Sequence, residues 1–307
     1  MKAAVIAGGA LRIEERPDPV PGVGQVLVAI RAGGVNGADL AQRAGHYPAP
    51  PGAPADIPGL ELAGEVAALG DGVERFTPGD RVMALVGGGG HAELAAVHTR
   101  LLMPVPSTFD FDAAGGFVEV FATAHDALFT QARLALGERL LVRGAAGGVG
   151  VAAVQLGVAA GARVTGEVRH GEHRPRIEAL GADTDVAGPY DVVLELVGGD
   201  RIVEDVELLA TAGRLVVIGV GAGATAPVDF RKLMQRRARI HASALRSRPL
   251  EEKALVVRRL ERHVAPLAER GAVSVPVHAT FPLDEAEAAY DEFAAGGKFG
   301  KIVLRVG

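Results

Sequence analysis

The sequence predicts a doubly wound parallel α/β domain that is inserted into a β-rich domain. From about residue 114, short apolar segments alternate with helical segments, which is typical of a parallel sheet covered by helices on both faces. Before that point, short alternating strands are separated by glycine and proline, and α+β character returns near the end of the chain. A length of 307 residues suits two domains. We expect residues 1–113 and 248–307 to form the β-rich domain and residues 114–247 the inserted one.

The β-rich domain is predicted from apolar alternation at both ends of the chain. The proline-rich segment 45–59 is predicted to be an ordered surface loop. A long amphipathic helix is expected over 250–271 and a shorter helix over 283–297. Strands are expected over 25–36, 58–70, 79–87, 91–97, 273–280 and 300–306.

The inserted domain is predicted as an alternating series of six strands joined by right-handed crossovers. The segment 148–161 is predicted to be a helix that ends at a glycine. Further helices are expected over 172–181, 200–213 and 229–237. Five of the six strands have clear bounds in the sequence, at 139–145, 162–168, 190–198, 213–221 and 239–245.

Composition excludes several classes of function. The net charge of −5 gives no general attraction to nucleic acid or anionic membranes, and the basic segment 231–239 is interpreted as an exposed helix face. The absence of cysteine excludes disulfides, thiolate nucleophiles and cysteine-ligated zinc. Neither a signal peptide nor an apolar run of 18 residues is present, so we expect a cytoplasmic protein.

The segment RGAAGGVG, residues 143–150, lies between a predicted strand and a predicted helix. A dinucleotide-binding turn at this place usually reads G-x-G-x-x-G. Gly147 and Gly150 fill the second and third positions, whereas Ala145 stands at the first. Gly147 would let the backbone approach a pyrophosphate, and Gly150 would allow the helix to pack on the strand. The amides at Gly148 and Val149 would then point to the phosphates.

The residues about twenty positions further on distinguish NADH from NADPH. A carboxylate there receives the ribose 2′-hydroxyl of NAD, whereas cations receive the 2′-phosphate of NADP. Glu167 is a candidate carboxylate, but Arg169, His170, His173 and Arg174 follow it closely. This cluster favours NADPH. Glu167 leaves NADH open as the alternative.

The chain also resembles the medium-chain dehydrogenase/reductase superfamily, in particular its zinc-independent, zeta-crystallin-like quinone oxidoreductase branch. The resemblance rests on five blocks in the same order: GVNGADLAQRAGHYPAPPG, PGLELAGEVAALG, GDRVMALVGGGGHAEL, GAAGGVGVAAVQL and GKFGKIVL. QRAGHYPAPPGA and SALRSRP are most similar to the p53-inducible quinone oxidoreductase subgroup. The resemblance implies that the β-rich domain is a GroES-like catalytic domain and the inserted domain a Rossmann domain.

The resemblance also implies that this chain has no zinc. Zinc alcohol dehydrogenases of the superfamily carry a cysteine at the position of Asn36 and a histidine at that of Leu60. Neither ligand is present, and no tetrahedral set remains. Glu61 is then a lone carboxylate, which we interpret as structural.

By resemblance, Asn36 and Tyr47 would line the site of hydride transfer, between the two domains, and serve as the catalytic residues. The glycine turn, the residues that follow the strands, and positions carried over from the resemblance together form the expected cofactor site. These residues are Thr123, Ala146, Gly147, Gly148, Val149, Arg169, His170, Arg174, Val197, Gly219, Val220, Leu245, Ser247 and Lys301.

The function expected from these features is zinc-free hydride transfer from NADPH to a quinone. Reduction of enones or 2-alkenals remains an alternative, as does a non-catalytic nucleotide-binding protein that acts as a sensor or binds RNA. A small-molecule substrate is expected, with neither nucleic acid nor membrane as partner. The strand at 239–245 should lie at a sheet edge and mediate a homodimer.

Overall fold

The computed structural model describes all 307 residues, and the chain divides into two compact units. The β-rich unit comprises Met1–Ala122 and Leu245–Gly307. The parallel-sheet unit comprises Thr123–Ala244. No helix is both long and apolar enough to cross a membrane.

Fourteen strands and ten α-helices make up the chain. The strands are β1 Lys2–Ala7, β2 Ala10–Glu15, β3 Gln25–Val35, β4 Glu61–Leu69, β5 Arg81–Leu85, β6 Leu94–His98, β7 Leu102–Pro104, β8 Arg139–Val142, β9 Arg163–Gly166, β10 Tyr190–Glu195, β11 Leu209–Val217, β12 Arg239–Ala242, β13 Val277–Pro282 and β14 Lys301–Arg305. The helices are α1 Gly37–Arg43, α2 Phe111–Gly115, α3 Val118–His125, α4 Gly148–Ala159, α5 Arg174–Glu178, α6 Arg201–Leu208, α7 Phe230–Arg236, α8 Leu250–His263, α9 Ala265–Glu269 and α10 Ala286–Ala295.

The β-rich unit is built on a seven-stranded sheet with the order β13-β14-β3-β4-β5-β7, and β6 pairs with β3. The long strand β3 pairs with β4, β6 and β14, and alternate residues such as Val26, Val28 and Ile30 enter the core. The hairpin of β1 and β2 and the short helix α1 were not predicted, because none of them shows extended periodicity. The single helix predicted over 250–271 is wrong. Pro266, which cannot donate a backbone hydrogen bond, stands at the start of α9, and α8 ends before it.

The parallel-sheet unit has the strand order β12-β11-β10-β8-β9, with every pair parallel. The predicted series of six strands is therefore wrong by one. In the chain between β9 and β10, only Asp183 pairs with the sheet, through an isolated bridge to Thr165 of β9. No full strand forms there, because only a short loop without a helix joins Asp183 to β10. The helix predicted over 200–213 is also too long. It ends at Leu208, since the buried Leu209 already pairs with Tyr190 in the sheet.

The doubly wound arrangement places the candidate site at one edge of this sheet. Strand β8 lies beside β10 in the middle of the sheet. From β8 the chain continues to β9 at one end of the strand order, and from β10 it continues to β11 in the direction of the other end. Ligands of open α/β sheets bind at such a switch point, beyond the carboxyl ends of the strands. The segment 143–150 follows β8 and the segment 196–199 follows β10, so both stand at that point.

Candidate active site

The turn after β8 has the backbone geometry that its sequence left in question. The left-handed conformation is adopted by Gly144, at φ 68°, and not by Ala145. Ala145 is buried, and a Cβ on Gly166 of β9 would lie only 3.1 Å from the Ala145 methyl group. The tight turn therefore uses the glycine one position earlier, and the alanine methyl fills space beside β9.

The two glycines of the turn differ in what surrounds them. A Cβ on Gly150 would lie 2.3 Å from the carbonyl oxygen of Gly144, so this glycine lets α4 pack directly on the turn. A Cβ on Gly147 would approach nothing closer than 3.5 Å, so protein packing does not require a glycine there. An open backbone at this position suits the close approach of a ligand.

The first turn of α4 presents unneutralised amide groups. Gly147 is the N-cap, no side chain caps the helix, and no acidic residue lies in its first turn. Ala146, Gly148 and Val149 are partly exposed around it. A twelve-residue helix with such a start favours an anionic group. The turn therefore fits the pyrophosphate of a dinucleotide.

The charged and titratable residues predicted at the end of β9 fall into two groups: those that are buried or held in ion pairs, and those that are exposed without an ion pair. Both carboxylate oxygens of Glu167 are engaged, one by Arg143 at 2.8 Å and the other by Arg201 at 3.0 Å. Arg169 and His170 are exposed in the loop that follows, and Arg169 makes no ion pair. Arg174 is exposed and pairs with Asp185 at 3.0 Å, whereas His173 is buried.

Two further sequence-predicted segments lie at the same edge of the sheet. Val197 follows β10, and its amide and that of Gly198 donate to the buried carboxylate of Glu195. Gly219 and Val220 follow β11, where a Cβ on Gly219 would lie 2.3 Å from the Leu196 carbonyl oxygen. Thr123 is buried in α3.

A buried polar cluster in the β-rich unit contains Asn36, Glu61 and Lys301. The Lys301 ammonium donates to Asn36 Oδ1 and Glu61 Oε1, both at 2.7 Å, and to the Val35 carbonyl at 3.0 Å. Asn36 Nδ2 donates in turn to Glu61 Oε1 at 2.9 Å. Lys301 is 3% exposed and Asn36 is 8% exposed. Glu61 is therefore not a lone carboxylate, and the Asn36 amide is held at both ends.

Asp39, His91 and Tyr290 extend this cluster. Asp39 accepts from the amides of Asn36 and Gly59, at 2.8 and 2.9 Å. His91 Nδ1 lies 3.0 Å from the Tyr290 hydroxyl. Burial raises the pKa of Asp39 and lowers the pKa of His91, although each opposes the shift of the other. The cluster therefore holds His91 as a neutral imidazole.

Replacing His91 with glutamine is expected to remove an acid-sensitive part of the stability. Because burial lowers its folded-state pKa below the ordinary 6.5, the unfolded chain binds more protons between these two values. The stability contributed by His91 is complete above pH 6.5 and is lost as the pH falls. Urea unfolding between about pH 5 and pH 8 checks this, with the wild type losing stability in acid more steeply than the variant. Equal slopes would contradict the prediction.

Tyr47 is held by a buried arginine. Arg246 donates to the Tyr47 carbonyl at 3.0 Å, to the Gly87 carbonyl at 2.8 Å and to the Gln42 side chain at 2.5 Å. Its guanidinium also lies 5.3 Å from the centre of the Tyr47 ring. Leu245 is buried and Ser247 is exposed on either side of it. The half-buried Tyr47 therefore has a fixed backbone position within the loop.

Several of these residues were missed by sequence reasoning. Arg246 stands between two predicted residues, but an arginine in a polar segment gives no sign that it is buried. Arg143 was treated only as part of the glycine turn. His91 follows four glycines, at 87–90, and this run was the one available signal, because glycine there permits close contact between backbones.

Comparison with known proteins identifies relatives over nearly the whole chain. Residues 22–107 match the alcohol dehydrogenase GroES-like domain, and residues 176–304 match the zinc-binding dehydrogenase domain. The quinone oxidoreductase of Rattus norvegicus is 31% identical, over 93% of this chain and 90% of that protein.

Solved structures agree with this assignment. An alcohol dehydrogenase superfamily protein from Novosphingobium aromaticivorans superimposes with a TM-score of 0.88 at 30% identity, covering 100% of both chains. A mycobacterial protein solved in complex with NADPH gives a TM-score of 0.87 at 27% identity, over 99% of this chain and 100% of that one. The predicted fold, a Rossmann sheet combined with a GroES-like domain, is confirmed. The chain belongs to the medium-chain dehydrogenase/reductase superfamily, and its relatives include quinone oxidoreductases.

Proposed function

We propose that this oxidoreductase transfers hydride from NADPH to a quinone. The observation that carries the proposal is the open glycine turn at the start of α4, at the switch point of the parallel sheet. Arg169 and His170, exposed after the neighbouring strand, supply cations for a 2′-phosphate. The NADPH bound to the mycobacterial relative and the quinone named for the rat relative support the same choice.

We propose that the reaction needs no zinc. In support, the position between Asn36 and Glu61 is taken by the Lys301 ammonium, which already satisfies these oxygens. No group of three or more His, Cys, Asp or Glu side chains is arranged to hold a metal ion. Zinc requires nitrogen, sulfur or carboxylate ligands in a tetrahedral set, and Leu60 offers none.

NADPH, when bound, would supply the hydride. The chain would hold the cofactor and place hydrogen-bond donors near the substrate oxygens. Burial, the largest cause, and the Glu119 carboxylate raise the pKa of the Tyr47 phenol, so the phenol stays protonated at neutral pH and can donate. The Asn36 amide is fixed by Lys301 and Glu61, so we assign it to shaping the site around the ring of the cofactor. A quinone requires little further assistance, because its reduced oxygens are stabilised as phenolates.

Steady-state turnover with a panel of quinones and a panel of 2-alkenals tests the proposed function. We expect NADPH to be oxidised with quinones, and Tyr47→Phe to lower kcat by about tenfold or more, because one donor to the substrate oxygen is removed. Turnover with the alkenals alone would favour double-bond reduction instead. Absence of turnover with either panel would favour a non-catalytic nucleotide-binding protein.

Arg169→Ala is expected to weaken NADPH binding by about tenfold, with NADH binding unchanged, because a charge-assisted hydrogen bond to the 2′-phosphate is lost. Calorimetric titration with both cofactors measures this. Arg231→Ala is the matched control, because Arg231 is an exposed arginine of α7 that pairs with the neighbouring Asp229. Equal losses for NADPH and NADH would contradict the assignment of Arg169.

We also propose that the chain forms a homodimer through β12. This strand is at the edge of the parallel sheet, and Ile240 on it is 41% exposed. The apolar side chains of Phe230 and Met234 on α7 are exposed as well. An unpaired edge with apolar side chains favours pairing with a second copy.

Ile240→Lys is expected to convert the dimer to a monomer, because it places a charge in the pairing edge. Light scattering at micromolar concentration measures the mass of the wild type and the variant. Leu255→Lys, at an exposed position on α8, serves as the control and should leave the mass unchanged. A monomeric wild type would contradict the proposal.

A further inference from the structure

We propose that Arg143 determines the cofactor preference, by holding the Glu167 carboxylate in an ion pair and thereby preventing it from receiving a ribose 2′-hydroxyl. The inference rests on the proposed NADPH-dependent function and deepens it. Arg143 lies within the glycine turn, but its side chain is directed into the protein, where it is 2% exposed.

Arg143 is the centre of a buried network of charges. Its Nη1 lies 2.8 Å from Glu167 Oε2, and its Nε lies 2.7 Å from Asp205 Oδ1. Its Nη2 lies 3.4 Å from Glu204 Oε2. Each nitrogen of the guanidinium is therefore directed at a carboxylate, and this fork geometry fixes the side chain.

Glu167 stands where an NAD-binding protein would use a carboxylate. Its backbone is tied to the turn, because its amide donates to the Val142 carbonyl and its own carbonyl accepts from the Ala145 amide, both at 2.9 Å. Arg201 engages the second carboxylate oxygen at 3.0 Å. A free carboxylate at this place accepts hydrogen bonds from the ribose and repels a phosphate. Here both oxygens are occupied and the charge is compensated.

The support beneath Arg143 is itself a buried carboxyl pair. Asp205 and Glu195 are completely buried, and one oxygen of each carboxyl group, Asp205 Oδ2 and Glu195 Oε2, makes no conventional hydrogen bond. Burial, together with a hydrogen bond to Glu195, raises the pKa of Asp205 to about 8. The neighbouring Arg143 guanidinium opposes this rise in the pKa of Asp205. The carboxyl groups of Glu167, Glu204 and Asp205 surround the Arg143 guanidinium, so the arginine can be buried beneath the turn with its charge compensated.

The cationic residues near the end of β9 therefore have two different roles. Arg143 and Arg201 neutralise the one carboxylate that would favour NADH. Arg169 and His170, exposed just beyond it, remain available to a phosphate. Freeing Glu167 should therefore change the preference between the cofactors even though neither arginine need touch the nucleotide. We regard Arg143 as a positioning residue for this reason.

Calorimetric titration of the full chain with NADPH and with NADH tests the inference. In Arg143→Met/Asp205→Asn, which removes the buried cation together with the carboxyl group that its Nε contacts, the ratio of the two dissociation constants should shift toward NADH by about tenfold. Adding Glu167→Gln to this variant should restore the preference for NADPH, because the freed carboxylate is then absent. A purely structural role would not give this reversal.

Arg201→Met is the second variant, because Arg201 is partly exposed and its loss leaves the buried network intact. It should shift the ratio in the same direction by a smaller factor, and circular dichroism confirms that each variant is folded. The inference is overturned if the wild type prefers NADPH but the ratio of the dissociation constants is unchanged both in Arg201→Met and in every Arg143 variant that folds. The proposed function would stand in that case. A shift that Glu167→Gln fails to reverse also overturns it. A wild type that binds neither cofactor overturns both.

Discussion

Lys301→Met is expected to lower the free energy of unfolding by about 3–5 kcal/mol. The Lys301 ammonium and the Glu61 carboxylate are 2.7 Å apart, and both are almost completely buried. Removing the cation leaves the carboxylate uncompensated in a medium that solvates it poorly. The Asn36 amide loses the donor to its oxygen at the same time. Urea denaturation of the wild type and the variant measures the difference.

Two further variants make this result interpretable. Lys298→Met is the matched control three residues earlier, where the ammonium lies 3.5 Å from the centre of the Phe293 ring, and its loss should cost only about 0.5–1 kcal/mol. Glu61→Gln, added to Lys301→Met, should recover part of the lost stability by removing the isolated charge. A loss in Lys301→Met no greater than that in Lys298→Met would show that the buried pair has little effect on stability.

Gly147→Ala is expected to weaken NADPH binding without destabilising the protein. A Cβ at this position would approach only the Gly144 carbonyl, at an ordinary distance of 3.5 Å, and the backbone is extended at φ −73°. The added methyl would instead occupy the space of the pyrophosphate. Such overpacking costs about 1–3 kcal/mol, which corresponds to roughly 5- to 150-fold in the dissociation constant. Calorimetry and thermal unfolding of the same samples measure the two effects.

Gly150→Ala is the contrasting variant at the other glycine of the turn. A Cβ there would lie 2.3 Å from the Gly144 carbonyl oxygen, so the turn and α4 must separate. We expect a loss of stability of about 1–3 kcal/mol or more, together with weaker binding. If Gly147→Ala lost stability as Gly150→Ala does, the open backbone at Gly147 would not be a ligand surface.

Most of the fold could be predicted from local patterns. The strand β8, the turn and the helix α4 follow from an apolar run, a glycine cluster and a glycine end signal, all within 25 residues of sequence. The errors arose where tertiary pairing overrides local preference. Leu209 continues a helical pattern but pairs in the sheet, and the chain between β9 and β10 adds only an isolated bridge at Asp183 instead of a sixth strand. Short elements such as α1 carry too few residues to show a period.

The candidate site could be predicted less completely, because burial and pairing are not visible in the sequence. Arg169 and Glu167 were recognised as opposing signals for the cofactor. The sequence could not show that Glu167 is engaged by Arg143, because the arginine precedes it by 24 positions. Lys301 and Glu61 are separated by 240 positions, and only the folded chain joins them. The sequence shows that Ala145 replaces the first glycine of the motif, but only the structure shows that Gly144 makes the turn.

Titration of the wild-type chain with NADPH, and separately with NADH, tests the central proposal most directly. We predict saturable binding of one NADPH per chain, at least about tenfold tighter than binding of NADH. Arg169 and His170 are exposed where we propose that the 2′-phosphate binds, and the competing carboxylate of Glu167 is paired. Binding of NADH as tightly as NADPH would contradict the proposed cofactor preference. Binding of neither would contradict the proposed dinucleotide turn itself.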